Sequence, residues 1–383
     1  MSAEIALLSH AGTDLAALSR ARWPEDFPAV TGIALQGITD EAAMRALLDG
    51  QLASARAIVL RVLGRADAIP GLERLLAHAR RLQAAVIVVS GTGEPDPELQ
   101  ALCSAPVSLQ QDVHAYLQAG GSVNLGEMMR CLADRLLLTG FGYQSPQPLP
   151  EHGVYHPELA APCSLEDWLE IRHPDWPTVG LCFYRAHWLS GNTRFIDLLV
   201  DCLAERGVNA LPVFTSSLRT IDQGGLPAAL TLLADPRANV SLLINTTSFA
   251  MGDINNDGPT QPGWAVEASD QLDLPVLQAI TSSMTREQWE ASDRGFNPLD
   301  TAMNVALPEF DGRIIGVPLS FKQPAEAGQA EQYAPLPDRA RRLAGIAARL
   351  ARLRHLENAG KRIAFIFTNS NSKASQIGNA VGL

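Results

Sequence analysis

The sequence predicts an α/β protein with Rossmann-like parallel sheets in at least two domains, plus the start of a further unit. Three observations carry that prediction. Short β-branched runs alternate with amphipathic helical patterns from the first residues onward; the same alternation resumes after a proline-rich stretch; and nearly every later strand run ends in hydroxyl, amide or cationic residues.

In the first domain, residues 1–143, "EIALLS", "AVTGIAL", "RAIVLRVL" and "AAVIVVS" read as strands with helical patterns between them. Residues 108–139 read as helical with an interruption at Gly120-Gly121, and Gly140 with Gly142 supplies a stop. The stretch 144–163, which reads "SPQPLPEHGVYHPELAAPC" over 145–163, is rich in proline and aperiodic, so a surface linker is expected there. A second domain, 164–335, repeats the grammar with "TVGLCFY", "NALPVF", "NVSLLI", "LPVLQAI" and "GRIIGVPL". After the first of these, Ile196, Leu199, Val200 and Leu203 fall on one helical face, with Asn192 or Thr193 as N-cap and Gly207 beyond the end. Residues 336–383 hold a long helix, about 337–357, and one more strand, "KRIAFIF". A lone strand followed by a glycine-bearing turn reads as an opened βα unit, so the chain is expected to be the N-terminal piece of a longer protein.

Composition narrows the function. The chain of 383 residues is 46% hydrophobic with a formal charge of -11, and no clustered basic surface is visible, which argues against nucleic acid or an anionic membrane as partner. Five cysteines without a C-x-x-C pair read as reduced core thiols. "MSAEIALLSH" carries no cationic stretch before an apolar core and no run is long enough to span a bilayer, so a cytoplasmic protein is expected. "DINNDG", 253–258, opens like a calcium loop but has Trp264 at its twelfth position, and "SGTGEP", 90–95, lacks the Lys-Ser/Thr of a phosphate loop.

In a doubly wound sheet the carboxyl ends of the strands converge on one crevice. The second half places Arg185 and His187 after its first strand, Thr215 to Ser217 after its second, Asn245 to Ser248 after its third and Thr281 to Ser283 after its fourth. Hydroxyls and amides there also serve as N-caps. Arg185 and His187 are not preferred caps: an arginine offers a rigid fork of donors to carboxylates, and an imidazole accepts a proton or binds a metal, or simply packs. Trp188 either packs or stacks on a flat ring. Glu309 and Asp311, in "ALPEFDGRI", place carboxylates on a turn beside this rim. The ligand chemistry that fits is one rich in carboxylates or amides.

The blocks "YLQAGGSVNL", "PEHGVYHP", "PTVGLCFYRAHWLSGNTRFIDLLVDCLAERGVNALPVF", "NPLDTAMNVALPEFDGRIIGVPLSFK" and "IGNAVGL", in this order, resemble the large subunit of the aerobic cobaltochelatase, a relative of the porphyrin-binding H subunit of magnesium chelatase. The resemblance implies a subunit that takes part in inserting Co²⁺, as substrate, into hydrogenobyrinic acid a,c-diamide in cobalamin biosynthesis. It implies that ATP with Mg²⁺ is used by separate AAA+ partner subunits, not by this chain. It further implies Glu309 as base or metal-delivery carboxylate, Arg185 as a substrate carboxylate binder and His187 as a proton or metal handler, both Glu309 and His187 being possible metal ligands. Asn192, Asn245, Ser248, Lys322, Asn369, Lys373 and Asn379 are further substrate-binding candidates. "TNSNSK", 368–373, departs from the Asn-Tyr-Pro-like turn of the relatives. The alternatives are the magnesium enzyme's H subunit and a two-lobed small-molecule-binding module without chemistry, and the isolated chain is expected to be inactive.

Overall fold

The computed structural model of the chain describes residues 3–65, 69–91, 96–160, 162–218, 226–248, 271–323 and 332–364. Two sheets organise them. The first contains β1 (Ile5–Ser9), β2 (Val30–Ala34), β3 (Ala57–Val62) and β4 (Ala85–Ser90), in the order β2-β1-β3-β4 with every pairing parallel. All five residues of β1 are buried, as a central parallel strand covered on both faces requires. One face packs α2 (Glu41–Asp49) and α3 (Leu72–Leu82); the other packs α1 (Gly12–Arg20), α5 (Val107–Ala119) and α6 (Gly121–Leu132), while the short α4 (Pro97–Gln100) follows β4. The expected break between α5 and α6 falls at Gly120 and Gly121, whose φ values of 69° and 82° suit glycine alone.

The second sheet has seven strands in the order β11-β10-β9-β8-β6-β7-β5. The centre, β6 (Thr178–Tyr184), β7 (Asn209–Thr215), β8 (Val240–Asn245), β9 (Val276–Thr285) and β10 (Ile314–Gln323), is parallel. Both edges are antiparallel: β5 (His152–Val154) on β7, and β11 (Gln332–Pro335) on β10. The strand β5 lies inside the stretch read from the sequence as a linker. Three residues between prolines are too short to show a period, yet they shield the β7 edge.

Helix α7 (Leu165–Ile171) opens on a capping box between Ser164 and Asp167. The five-residue α8 (Arg185–Leu189) leaves β6 directly, followed by α9 (Arg194–Ala204), with Thr193 at its N-cap and Gly207 (φ 66°) past its end. Helix α10 (Ala228–Leu233) precedes β8, and α11 (Arg286–Glu290) follows β9. Next, α12 (Pro298–Thr301) runs through a π turn at Ala302–Ala306 into α13 (Leu307–Phe310). The long α14 (Pro337–His355), read from the sequence as the head of a further unit, lies against the second sheet. Ala340, Leu343, Ala344, Ala347, Ala348 and Ala351 form its buried stripe, and the five alanines let the helix axis approach α9 and the strands closely. The strand expected at 361–367 is not formed over 361–364, which are exposed coil; its remainder, with "DINNDG" and residues 92–95 of "SGTGEP", lies outside the described residues.

The sheet curls. Strand β10 shifts register against β9 between Ile315 and Pro318, between Pro318 and Ser320, and between Phe321 and Lys322. Such irregularities bend a strand and re-aim its side chains. Here they bring β10 and β11 round to the carboxyl end of β6, so that Tyr333 N–H donates to Asn192 Oδ1 at 3.0 Å.

Candidate functional site

The carboxyl ends of the central strands carry a connected, buried polar layer. Asn245 ends β8 and donates from Nδ2 to Thr247 O and Gln278 Oε1, each at 3.2 Å. Gln278, fully buried in β9, donates to Thr247 O at 2.9 Å. Arg313 Nη1 donates to Gln278 Oε1 at 3.0 Å and Nη2 to Asp311 Oδ2 at 2.8 Å, in an ion pair whose side chains are 1% and 0% exposed. Burial pulls the Arg313 pKa down, and Asp311 opposes the fall. Beside this group Asp300 accepts from Ser282 Oγ (2.6 Å), Ser283 Oγ (2.9 Å) and Asn304 Nδ2 (3.3 Å), while Ser248 Oγ donates to Asn304 Oδ1 at 2.7 Å. A connected network of this kind holds its members in one arrangement. It also explains most of the serines and threonines at these strand ends: Thr246 Oγ1 donates to Cys182 O and Thr215 Oγ1 to Ser217 O, so they fasten turns.

Arg185 stands at the end of β6 and is buried. Its Nε donates to Pro150 O at 2.7 Å and its Nη2 to Leu149 O at 2.9 Å, with exposed Glu151 3.5 Å away. The fork that the sequence offers to a carboxylate is thus engaged by backbone carbonyls of the segment leading into β5. Trp188 packs: its ring stacks on Phe214 at 4.2 Å and 6°. His187 sits edge-on between Phe195 (5.0 Å) and Tyr333 (5.1 Å), and this burial lowers its pKa to about 4, which leaves a neutral imidazole at pH 7.

His187 also lines a cavity of about 270 Å³ that Asn192, Lys322 and Tyr333 share with Gly12 and Thr13 at the start of α1. The cavity therefore lies between α1 of the first unit and the ends of β6 and β10 of the second. Arg20, from the end of α1, fastens the junction by donating to Ser190 O and, at 2.8 Å, to Gly191 O. Of the residues predicted from the sequence, the structure gathers His187, Asn192 and Lys322 around this cavity, and Asn245 and Ser248 in the polar layer. Glu309 is elsewhere: it is exposed on α13 and does not line the cavity. Asn369, Lys373 and Asn379 lie outside the described residues. Among the described residues no three His, Cys, Asp or Glu side chains come together to hold a metal ion. Sequence reasoning passed over Gln278, Asp300, Asn304 and Arg313. A lone glutamine inside the apolar run "LPVLQAI" was the available signal, because a buried amide needs partners.

Two doubly wound units, with a buried polar layer at the strand ends of the second and a cavity beside α1 and the end of β6, define an α/β protein of the class whose ligand sites lie beyond the carboxyl ends of the strands. Comparison with known proteins gives the family. The CobN/Magnesium Chelatase family model matches residues 114–383. The aerobic cobaltochelatase subunit CobN of Pseudomonas aeruginosa is 35% identical over 391 residues, covering 100% of this chain and 30% of the relative. The magnesium-chelatase H subunit of Cereibacter sphaeroides is 28% identical over 297 residues, covering 70% of this chain and 24% of the relative. Among solved structures, the catalytic subunit of cobaltochelatase from Mycobacterium tuberculosis matches with a TM-score of 0.74 and 32% identity, over 100% of this chain and 30% of that one. The chain belongs to the CobN/magnesium chelatase family, and spans about 30% of the length of these cobaltochelatase relatives.

Proposed function

We propose that this chain is a substrate-binding part of the large subunit of an ATP-dependent cobaltochelatase, acting in cobalamin biosynthesis on hydrogenobyrinic acid a,c-diamide with Co²⁺ as second substrate. One observation carries the choice of cobalt over magnesium: similarity to a cobaltochelatase subunit extends over 100% of the chain at 35% identity, whereas that to a magnesium-chelatase H subunit covers 70% at 28%. The chemistry of the site supports it. A corrin ring bearing carboxylate and amide arms needs polar groups around its edge and a neutral surface beneath, and Asn192, Lys322, Tyr333 and a neutral imidazole line the cavity at the end of β6.

Metallation requires the ring nitrogens to lose protons while the ion sheds water. His187, neutral at pH 7, contributes a hydrogen-bonding imidazole without a competing positive charge. Glu309, open to solvent on α13, is the carboxylate able to accept a proton or hand over a hydrated ion when the rest of the large subunit closes over it. Arg185 acts as a positioning residue, holding the segment at 149–151 against the end of β6. The AAA+ partners supply the ATP-driven step. The test is insertion by the complete large subunit with its partners, ATP and Co²⁺, followed by the absorption change of the corrin. Cobalt uptake that needs all components, with none by the 383-residue chain alone, is expected; Mg²⁺ insertion into a porphyrin in its place would overturn the reading.

A further inference from the structure

Helix α14 inverts the charge of the chain. Its 19 residues hold six arginines and one acid, Asp338, in a protein whose formal charge is -11. Packing decides where those arginines stand. The helix buries its stripe of small apolar residues, Ala340 to Ala351, against α9 and the second sheet, so its polar residues gather on the outer side. Arg341, Arg349 and Arg352 fall at i, i+8 and i+11, which is one row along a helix, and the position at i+4 is Gly345. Arg206, from the end of α9, fills that gap: its Nε lies 3.8 Å from where a Gly345 Cβ would stand, and its carbonyl accepts from Arg352 Nη2. Four guanidinium groups thus follow one another over roughly 16 Å, at a rise of about 1.5 Å per residue, with Arg342 beside them. Folding corrects the expectation that no basic surface is clustered, because these arginines are separated in sequence and meet only on the helix.

Helix stability does not account for the arrangement. Arg352 and Arg354 lie in the last turn, where the macrodipole favours cations, but Arg341, Arg342 and Arg349 lie outside it. A solvated helix face sets acids three or four residues from its bases; here Arg339 and Arg342, and again Arg349 and Arg352, are like-charged neighbours at i, i+3 and repel. Two other cations of the helix are paired, Arg339 with Asp338 at 3.3 Å and Arg354 with Asp273 at 3.0 Å. Arg341, Arg342 and Arg349 are exposed and, among the described residues, make no hydrogen bond or ion pair. Close by on the same helix end, Leu353 and Leu356 are 48% and 45% exposed.

We propose that this face of α14 docks an acidic helix of a partner protein, whose carboxylates pair with the row of guanidinium groups and whose apolar residues cover Leu353 and Leu356. The guanidinium fork matches a carboxylate, and carboxylates repeated three or four residues apart on one helix face match the spacing of the row. The two leucines favour a protein over nucleic acid, whose phosphates would leave them uncovered. A membrane surface is disfavoured on another ground: an interfacial helix sinks its apolar face into the bilayer, and the apolar face of α14 is already packed on the sheet. No residue of α14 lines the cavity at the end of β6, so docking leaves that cavity open, and the inference stands independently of the corrin as substrate.

The test is fluorescence anisotropy of a labelled helical peptide of about 20 residues, long enough to hold a helix in water, with glutamates at i, i+4 and i+8 and leucines beside them. Binding to the 383-residue chain should saturate and should weaken as salt is added. Arg341→Glu, Arg342→Glu and Arg349→Glu together should weaken it about tenfold or more, as two or three exposed pairs supply, with the neutral triple of glutamines at the same positions falling between. Reversal of Arg45, Arg80 and Arg294, which are also exposed, makes the same change in net charge elsewhere and should alter binding by less than about twofold. Absence of peptide binding, or binding that survives both triples on α14, overturns the docking face. Tighter binding of duplex DNA or of phosphatidylserine vesicles through the same three arginines gives the face to a polyanion and overturns the protein partner. Self-association in sedimentation that the Glu triple abolishes gives it to a second copy of the chain, with the same consequence.

Discussion

Replacing Arg185 by methionine separates a positioning role from a ligand role. The substitution keeps the length and much of the apolar stem but removes two charged donations, at 2.7 Å to Pro150 O and 2.9 Å to Leu149 O. Charged hydrogen bonds contribute about 1.5–3 kcal/mol each, so the pair is worth about 3–6 kcal/mol before the non-additivity of neighbours is allowed for. The contact with Glu151 adds little: that carboxylate is 66% exposed, and exposed pairs contribute under about 1 kcal/mol. Urea unfolding followed by tryptophan fluorescence reads the second sheet, since five of the six tryptophans lie beyond residue 163. Arg185→Met should lower stability by about 3 kcal/mol or more, and Glu151→Gln by less than about 1 kcal/mol. An Arg185→Met protein with an unchanged midpoint but no corrin binding would refute the reasoning and return Arg185 to the role of carboxylate clamp.

Three further outcomes follow from the same geometry. Asp311→Asn leaves Arg313 buried beside a neutral amide and should cost about 3–5 kcal/mol in denaturant melts, and the double variant Asp311→Asn with Arg313→Met should cost less than the two singles combined. His187 has a folded pKa of about 4 against an ordinary value of 6.5, so between these values the unfolded chain binds more protons than the folded one. Its contribution to stability is therefore fully present above about pH 6.5 and is lost as the pH falls toward 4, with a slope of up to about 1.4 kcal/mol per pH unit that His187→Gln should remove from the pH dependence of the unfolding midpoint. Gly316→Ala places a Cβ 2.5 Å from Gln278 O, which forces β10 off β9; a loss of about 1–3 kcal/mol in denaturant melts is expected.

Much of the fold was legible because parallel strands buried on both faces announce themselves as β-branched runs, and β1, β3, β4, β6 and β8 fall where such runs stand. The antiparallel edges were not. His152–Val154 has three residues among prolines, and Gln332–Pro335 has neither length nor alternation, so tertiary pairing alone makes them strands. The curl of the sheet was invisible for a related reason: it arises from register shifts between β9 and β10, and register is a property of two strands.

The candidate site shows the same division. That Arg185 and His187 follow β6 was plain, but residue type says which groups a side chain offers and not which oxygen reaches it first. The carbonyls of Leu149 and Pro150, about 35 positions earlier, take the guanidinium. Glu309 and Asp311 looked equivalent on one turn, yet the structure buries Asp311 against Arg313 and leaves Glu309 in solvent. Lys322 gained its place only when β10 bent toward β6.

Absorption titration of the folded 383-residue chain with hydrogenobyrinic acid a,c-diamide, with protoporphyrin IX as comparison, tests most directly whether this rim cradles an acid-decorated corrin. A band shift saturating near one equivalent, and tighter for the corrin than for the porphyrin, is the predicted result. An unshifted corrin spectrum, or tighter binding of the porphyrin, would contradict it.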